Sequence, residues 1–248
     1  MKGRMKGRKK GSTEGKNMKV KTRIKICGIR SPEELELAAR FGADAVGFLT
    51  EVPVESPRKI DSMTAAALVE QVPKGLDSVL VIMPENSARA LELIDNIGPD
   101  IVQVHSELSL PELEMIRDKT GLPIIKALSV PAGKEYGKNF SLSPLLEKLR
   151  ELEYSGAADA VLLDSGKGNR TGGTGLVHDW DLSRRIVEET SLPVILAGGL
   201  RPENVQEAIG AVSPYAVDTA SGVETGGKKD ALKIKIFMEA VRYADAFL

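Results

Sequence analysis

Cysteine is nearly absent from this 248-residue chain. Cys27 stands alone, which excludes an intramolecular disulfide framework and makes a reducing cytoplasm the expected setting. Histidine is almost as scarce: His105 and His178 form no His/Cys ligand cluster. Aromatic residues make up 4% of the chain, so a core must be built from the Val, Ile, Leu and Ala within an apolar fraction of 42%. No apolar run approaches the roughly 18 residues of a membrane span. No apolar segment follows the basic N-terminus as in a secretory leader, so neither a leader nor a membrane partner is expected.

Two phosphate-binding signatures are missing as well. No GxGxxG follows the first apolar run, and the segment Ser165–Gly175 lacks the Gly-Lys-[Ser/Thr] that opens the helix after a Walker loop. Acidic charge is missing from the start of the chain. Residues 1–23 hold ten Lys/Arg and one acidic residue, Glu14, although the whole chain has a net charge of −1. This composition predicts a disordered basic tail over residues 1–22 and a folded unit over 23–248. The tail reads as a solvated or start-site extension. It has no interleaved aromatic residues, so nucleic acid is not the expected partner.

What the chain does contain is repetition. Short apolar, β-branched runs recur at Ile24–Ile29, Ala45–Leu49, Ser78–Ile82, Ile101–His105, Pro123–Ala127, Asp159–Leu163, Pro193–Ala197 and Tyr215–Asp218. Helical patterns such as Glu33–Arg40, Ser87–Asn96, Pro111–Lys119, Leu145–Glu153, Asp181–Glu189, Pro202–Ile209 and Ala231–Ala244 separate them. Near-continuous apolar strands imply cover on both faces, hence parallel pairing. Eight such units predict an α/β fold, a single (β/α)8 TIM barrel, with an open doubly wound sheet as the alternative. Ser31-Pro32 and Arg201-Pro202 read as helix starts.

Functional groups of such a barrel sit at the C-terminal strand ends. Lys25 and Cys27, Gln103 and His105, Lys126, Asp164 and Asp218 gather there, and residues two apart share the inward face. Alone, Cys27 reads as a small buried hydrophobe; the crowd of polar groups around it reads as a site. After the last two strands come Ala197-Gly198-Gly199-Leu200 and Ala220-Ser221-Gly222-Val223. Gly198, Gly199, Ser221 and Gly222 are the expected phosphate binders, which suggests a sugar-phosphate substrate. Tight turns alone would also require glycine.

Lys25-Ile26-Cys27-Gly28, Ser56-Pro57-Arg58, Gln103-Val104-His105, Leu163-Asp164, Gly172-Gly173-Thr174-Gly175, Asp179-Trp180, Ala197 through Val205, Ser221-Gly222-Val223-Glu224 and Lys229-Asp230 appear in that order. From about Arg23 to the C-terminus, the chain resembles the phosphoribosylanthranilate isomerases of tryptophan biosynthesis. The resemblance implies an Amadori rearrangement of N-(5'-phosphoribosyl)anthranilate to an open-chain 1-deoxyribulose 5-phosphate. It makes Cys27 the general base, Asp164 the general acid and Arg58 the holder of the anthranilate carboxylate. Gln103, His105 and Asp218 are positioning candidates. No metal or redox cofactor is implied, and either a monomer or a homodimer is compatible.

A cysteine base has to ionise, which Lys25 is expected to favour; an acid has to keep its proton, which burial favours. The chain departs from the family pattern at Val104, Ser106 and Ala220, the last removing a hydroxyl near the phosphate turn. Another sugar-phosphate barrel enzyme, an epimerase or a thiamine phosphate synthase-like enzyme, is the alternative. A metal-dependent epimerase would need paired His and Asp ligands, and His178 does not lie at a strand end. A non-catalytic phosphate- or nucleic-acid-binding protein would not need Cys27 and Asp164 together.

Overall fold

Strand and helix alternate along the chain of the computed structural model, which describes residues 21–53, 55–131, 141–167, 170–171 and 179–247. Expectations for residues 1–20, for Gly172-Gly173-Thr174-Gly175 and for His178 lie outside the described residues. The elements are β1 (Arg23–Cys27), α1 (Pro32–Arg40), β2 (Ala45–Leu49), α2 (Ser62–Val69), β3 (Asp77–Ile82), α3 (Ser87–Ile97), β4 (Ile101–Val104) and α4 (Leu110–Thr120). They continue with β5 (Ile124–Pro131), α5 (Ser143–Ser155), β6 (Ala160–Lys167), β7 (Arg170–Thr171), α6 (Trp180–Glu189), β8 (Val194–Leu196), α7 (Val205–Val212) and β9 (Ala216–Thr219). A 3-10 turn (Ser221–Val223), the short pair β10 (Glu224–Thr225) and β11 (Lys228–Lys229), and α8 (Ala231–Phe247) complete the chain.

Strands β1 to β6, β8 and β9 pair in parallel around a closed ring, with β9 returning to β1 and β5 joined to β6. The expected TIM barrel is therefore present. Alternation decides what each face buries. Val79, Val81, Ile125, Ala127, Leu162, Ile195 and Ala216 fill the barrel interior. Ile24, Ile26, Val46, Phe48 and Val217 face outward onto α1, α7 and α8, while Leu80, Val102, Val104, Leu128 and Val161 face α3, α4 and α5.

Three features differ from the sequence expectation, the first a helix it did not name. Helix α2 has no amphipathic stripe: Ser-Met-Thr-Ala-Ala-Ala-Leu-Val is apolar nearly all round, and its start is set by Asp61 accepting the N–H of Thr64 at 2.8 Å. Helix α7 begins at Val205 rather than Pro202, because Asn204 first closes a turn by accepting the N–H of Arg201 at 2.8 Å. Strands β5 and β6 run on to Pro131 and Lys167, pairing Ser129 with Asp164 where a loop was expected. Ser31 caps α1 as expected, accepting the N–H of Glu34 at 3.4 Å.

At the N-terminal end of the barrel, one device repeats. Asp44, Asp100 and Asp159 stand just ahead of β2, β4 and β6 and accept the N–H groups of Ile24, Ser78 and Ile124 in the preceding strands, each at 2.8 Å. Arg242, at 3.3 Å, and Arg117, at 2.9 Å, pair with Asp44 and Asp159. Thr22 is already fixed: it is buried, its N–H lies 3.2 Å from Asp245 Oδ1, and its carbonyl accepts Arg242 Nη1 at 2.8 Å.

Candidate active site

The alternation of β1 sends Ile24 and Ile26 outward and Lys25 and Cys27 into the barrel mouth. The register sets Lys25 beside Asp218 of β9 and Cys27 beside Gly47 of β2. Lys25 Nζ donates to Asp218 Oδ1 at 3.2 Å, with both side chains less than a tenth exposed. A Cβ on Gly47 would lie 2.7 Å from Cys27 Sγ and 3.1 Å from Lys25 Nζ. The missing side chain is therefore the space in which thiol and ammonium meet. Burial disfavours the Lys25 charge, but Asp218 and Cys27 outweigh it and raise the ammonium's pKa. For Cys27, burial wins: the thiol is pushed up although Lys25 and Lys229 pull it down. Lys25 favours the thiolate as expected, but burial, with the charge of Asp218 adding to it, outweighs that pull.

Across the mouth, Asp164 follows Leu162 on the inward face of β6. Burial, then the nearby charge of Asp218, raises its pKa to about 6, against the pull of the Ser165 N–H and Lys25. Its Oδ1 accepts that N–H at 2.8 Å. Cys27 and Asp164 thus both feel the Lys25–Asp218 pair. From β4, Gln103 Nε2 donates to His105 Nε2 at 2.6 Å. Burial, with Lys25 and Lys126 adding to it, lowers the His105 pKa to about 3, so the ring is neutral. Lys126 does not join this group. It pairs with Val104 and Val161, both in the outer layer, and its Nζ donates to Ala127 O at 2.8 Å beneath α4 and α5. Two-residue alternation along β5 puts Ile125 and Ala127 inside and the lysine outside.

The two glycine turns touch. A Cβ on Gly222 would lie 1.9 Å from Leu200 O, and Thr219 Oγ1 donates to that same carbonyl at 2.7 Å. Gly198, at φ +79, packs so closely that a Cβ would fall 2.1 Å from Ser165 Oγ, beside Asp164. Gly199 also has positive φ, and its carbonyl accepts Asn204 Nδ2 at 3.0 Å. Among the described residues the N–H groups of Gly198 and Gly199 meet no backbone acceptor. Ser221 and Gly222 lie in the 3-10 turn facing them.

Arg58 lies on the loop after β2, its stem over Gly28, where a Cβ would come within 2.5 Å of Arg58 Cδ. Its Nε and Nη2 donate to Glu224 Oε1 and Oε2 at 2.8 and 2.7 Å. Lys229 donates to Glu224 Oε1 at 2.8 Å, to Cys27 O at 2.6 Å and to Ala220 O at 3.0 Å. Glu224 and Lys229 stand in the family-like motifs, yet sequence reasoning gave them no role; only the fold brings them to Arg58 and β1. Among the described residues no three His, Cys, Asp or Glu side chains gather as metal ligands, and no helix is long and apolar enough to cross a membrane.

Comparison with known proteins identifies the family. The family model for N-(5'-phosphoribosyl)anthranilate (PRA) isomerase matches residues 24–240. The chain is similar to the N-(5'-phosphoribosyl)anthranilate isomerase of Methanosarcina acetivorans, at 67% identity over 93% of this chain and 97% of that one. The isomerase structure from Pyrococcus furiosus superposes with a TM-score of 0.74 at 31% identity, covering 90% of this chain and 99% of the other. A phosphoribosyl anthranilate isomerase in complex with reduced 1-(o-carboxyphenylamino)-1-deoxyribulose 5-phosphate superposes with a TM-score of 0.71 at 30% identity, again over 90% and 99% of the two chains. With a family model spanning nearly all of the barrel and a relative two-thirds identical along it, the chain belongs to the N-(5'-phosphoribosyl)anthranilate isomerase family.

Proposed function

We propose that this barrel carries out the family's reaction in tryptophan biosynthesis, isomerising N-(5'-phosphoribosyl)anthranilate with Asp164 as acid and Cys27 as base. Asp164 gives its proton to the furanose ring oxygen as the C1'–O4' bond breaks and the anthranilate nitrogen closes a Schiff base. Cys27 thiolate then takes the proton from C2', and the electron pair moves into C1'=C2' and onto the nitrogen. The resulting enolamine tautomerises to the ketone. Facing acid and base on either side of one carbon is what this step demands.

The observation that supports this reading is the shared position of the two groups. A half-buried carboxyl whose pKa is raised to about 6 and a buried thiol lie against one ion pair at the open end of the barrel. At pH 7 about a tenth of Asp164 carries its proton, and any further exclusion of water by substrate raises that share. Thiolate formation draws on Lys25 and Lys229, the two cations acting on Cys27. The turn formed by Gly198, Gly199, Ser221 and Gly222 suits the 5'-phosphate, because backbone N–H groups need no Ala220 hydroxyl to bind it. Arg58 takes the anthranilate carboxylate; Asp218 holds Lys25, and Gln103 holds neutral His105. A cytoplasmic setting suits an enzyme whose single thiol must stay reduced.

Freshly prepared phosphoribosylanthranilate should lose its anthranilate fluorescence on incubation with the protein. Cys27→Ala should slow that loss at least ~10²-fold with an unchanged melting temperature. Turnover of the variant at the wild-type rate would remove Cys27 from the mechanism.

A further inference from the structure

The Arg58 guanidinium is already half engaged before any substrate arrives. Its Nε and Nη2 face Glu224 side-on, whereas Nη1 has no partner among the described residues. We propose that Glu224, clamped by Lys229, is the positioning residue that aims the free edge of Arg58 at the substrate's carboxylate. The inference rests on the functional reading above and assigns a residue on which that reading is silent.

Three features carry it. Lys229 is saturated: its Nζ has three acceptors, the Glu224 carboxylate and the carbonyls of Cys27 and Ala220, and its side chain is 0% exposed. An ammonium has three protons, so Lys229 has none left for a ligand. Glu224 is held from more than one side, because Lys233 Nζ donates to its backbone carbonyl at 2.6 Å. Arg58 is confined below by the Gly28 backbone.

Displacement of Glu224 by the incoming carboxylate is the competing idea, and its energetics are poor. Glu224 is 7% exposed, and moving it would strip buried Lys229 of its carboxylate partner. With Nε and Nη2 held by Glu224, the Nη1–Nη2 edge of Arg58 remains for a second carboxylate. A guanidinium fork can serve two carboxylates on different edges, which an ammonium cannot match in geometry. Lys229 also binds Cys27 O, so the same clamp fixes the distance between the carboxylate pocket and the base-bearing strand.

The test compares two ligands: reduced 1-(o-carboxyphenylamino)-1-deoxyribulose 5-phosphate and the same compound without the ring carboxyl. Dissociation constants are measured for wild type, Glu224→Gln, Arg58→Gln and the double variant. Glu224→Gln should weaken the carboxylated ligand by about tenfold or more and leave the other within about twofold. The double variant should bind the carboxylated ligand no worse than Arg58→Gln alone, since both changes cut one interaction. In turnover, Glu224→Gln should raise KM far more than it lowers kcat. Glu224→Asp, which keeps the charge, should recover part of the loss and serves if the glutamine variant folds poorly. Equal weakening of both ligands, or additive losses in the double variant, would overturn the positioning role and leave the functional reading standing. A wild-type protein indifferent to the ring carboxyl would overturn both.

Discussion

Both ends of this barrel are ringed by carboxylates, and the two rings differ in what answers them. At the N-terminal end Asp44, Asp100 and Asp159 each receive a backbone N–H from the neighbouring strand, and arginines reach Asp44 and Asp159. At the C-terminal end Asp164 has, among the described residues, one N–H, from its own neighbour Ser165, and the pull of Lys25, which burial and the repelling charge of Asp218 outweigh. The first ring stabilises the seams between strands; in the second, Asp164 is left with a raised pKa. A polar residue at a strand end is thus no mark of a site. A site is marked by a charge that the fold leaves incompletely answered.

The sharpest way to break this comparison is to neutralise one carboxylate from each ring. Asp164→Asn keeps the shape but cannot donate a proton, so kcat should fall by ~10²-fold or more while the reduced product analogue still binds. Its stability should move the other way. The folded Asp164 carboxyl binds its proton more tightly than the unfolded one, so its contribution is full below the ordinary value of 3.8 and is lost as pH rises through about 6. Asparagine has no such loss. Denaturant titration at pH 8 should find Asp164→Asn more stable than wild type by of order 1–3 kcal/mol. A less stable variant would make Asp164 an anchor like those at the other end.

Asp100→Ala should show the reverse. It removes the acceptor of the Ser78 N–H at 2.8 Å and of Ser78 Oγ at 2.6 Å, leaving buried donors unpaired. A cost of about 1–3 kcal/mol with kcat within about twofold is expected from unfolding and activity measured on the same preparation. The smallest effect belongs to residues 1–17. Their composition offers almost nothing to bury, so truncation to Met18 should shift the melting temperature by less than about 2 °C and leave kcat unchanged. A larger shift would add a third structural region to the two rings.

The sequence reveals most where one periodicity dominates. Alternation in β1 alone places Lys25 and Cys27 inside and their isoleucine neighbours outside, and the repeated strand–helix unit predicts the closed barrel. Legibility fails where the controlling contact is distant in sequence. Helix α2 has no polar face to betray it, and Lys126 is a lone charge whose side of β5 depends on which residue begins the inward count. The aspartates ahead of β2, β4 and β6 are ordinary loop residues until a neighbouring strand offers its N–H. The same holds at the candidate site: the placement of Asp164 and the two glycine turns at strand ends is readable because strand ends and glycines have local signatures. The burial that lifts the Cys27 thiol and the Glu224 clamp on Arg58 come only with the packed fold.

The seam between β1 and β9 has a consequence for how the chain becomes an enzyme. It joins the first strand of the barrel to the last strand of the barrel, and the Lys25–Asp218 pair exists only in that register. Thr22 and Asp245 close the same seam from outside, across 223 positions of sequence. Contacts of such separation carry the largest loop-closure entropy and form only when intervening elements hold the ends together. The ion pair against which both Cys27 and Asp164 are set is therefore assembled by barrel closure itself. Without that seam the Lys25–Asp218 pair does not form. On the mechanism proposed above, catalytic competence is therefore a property of the closed ring, acquired when its two ends meet.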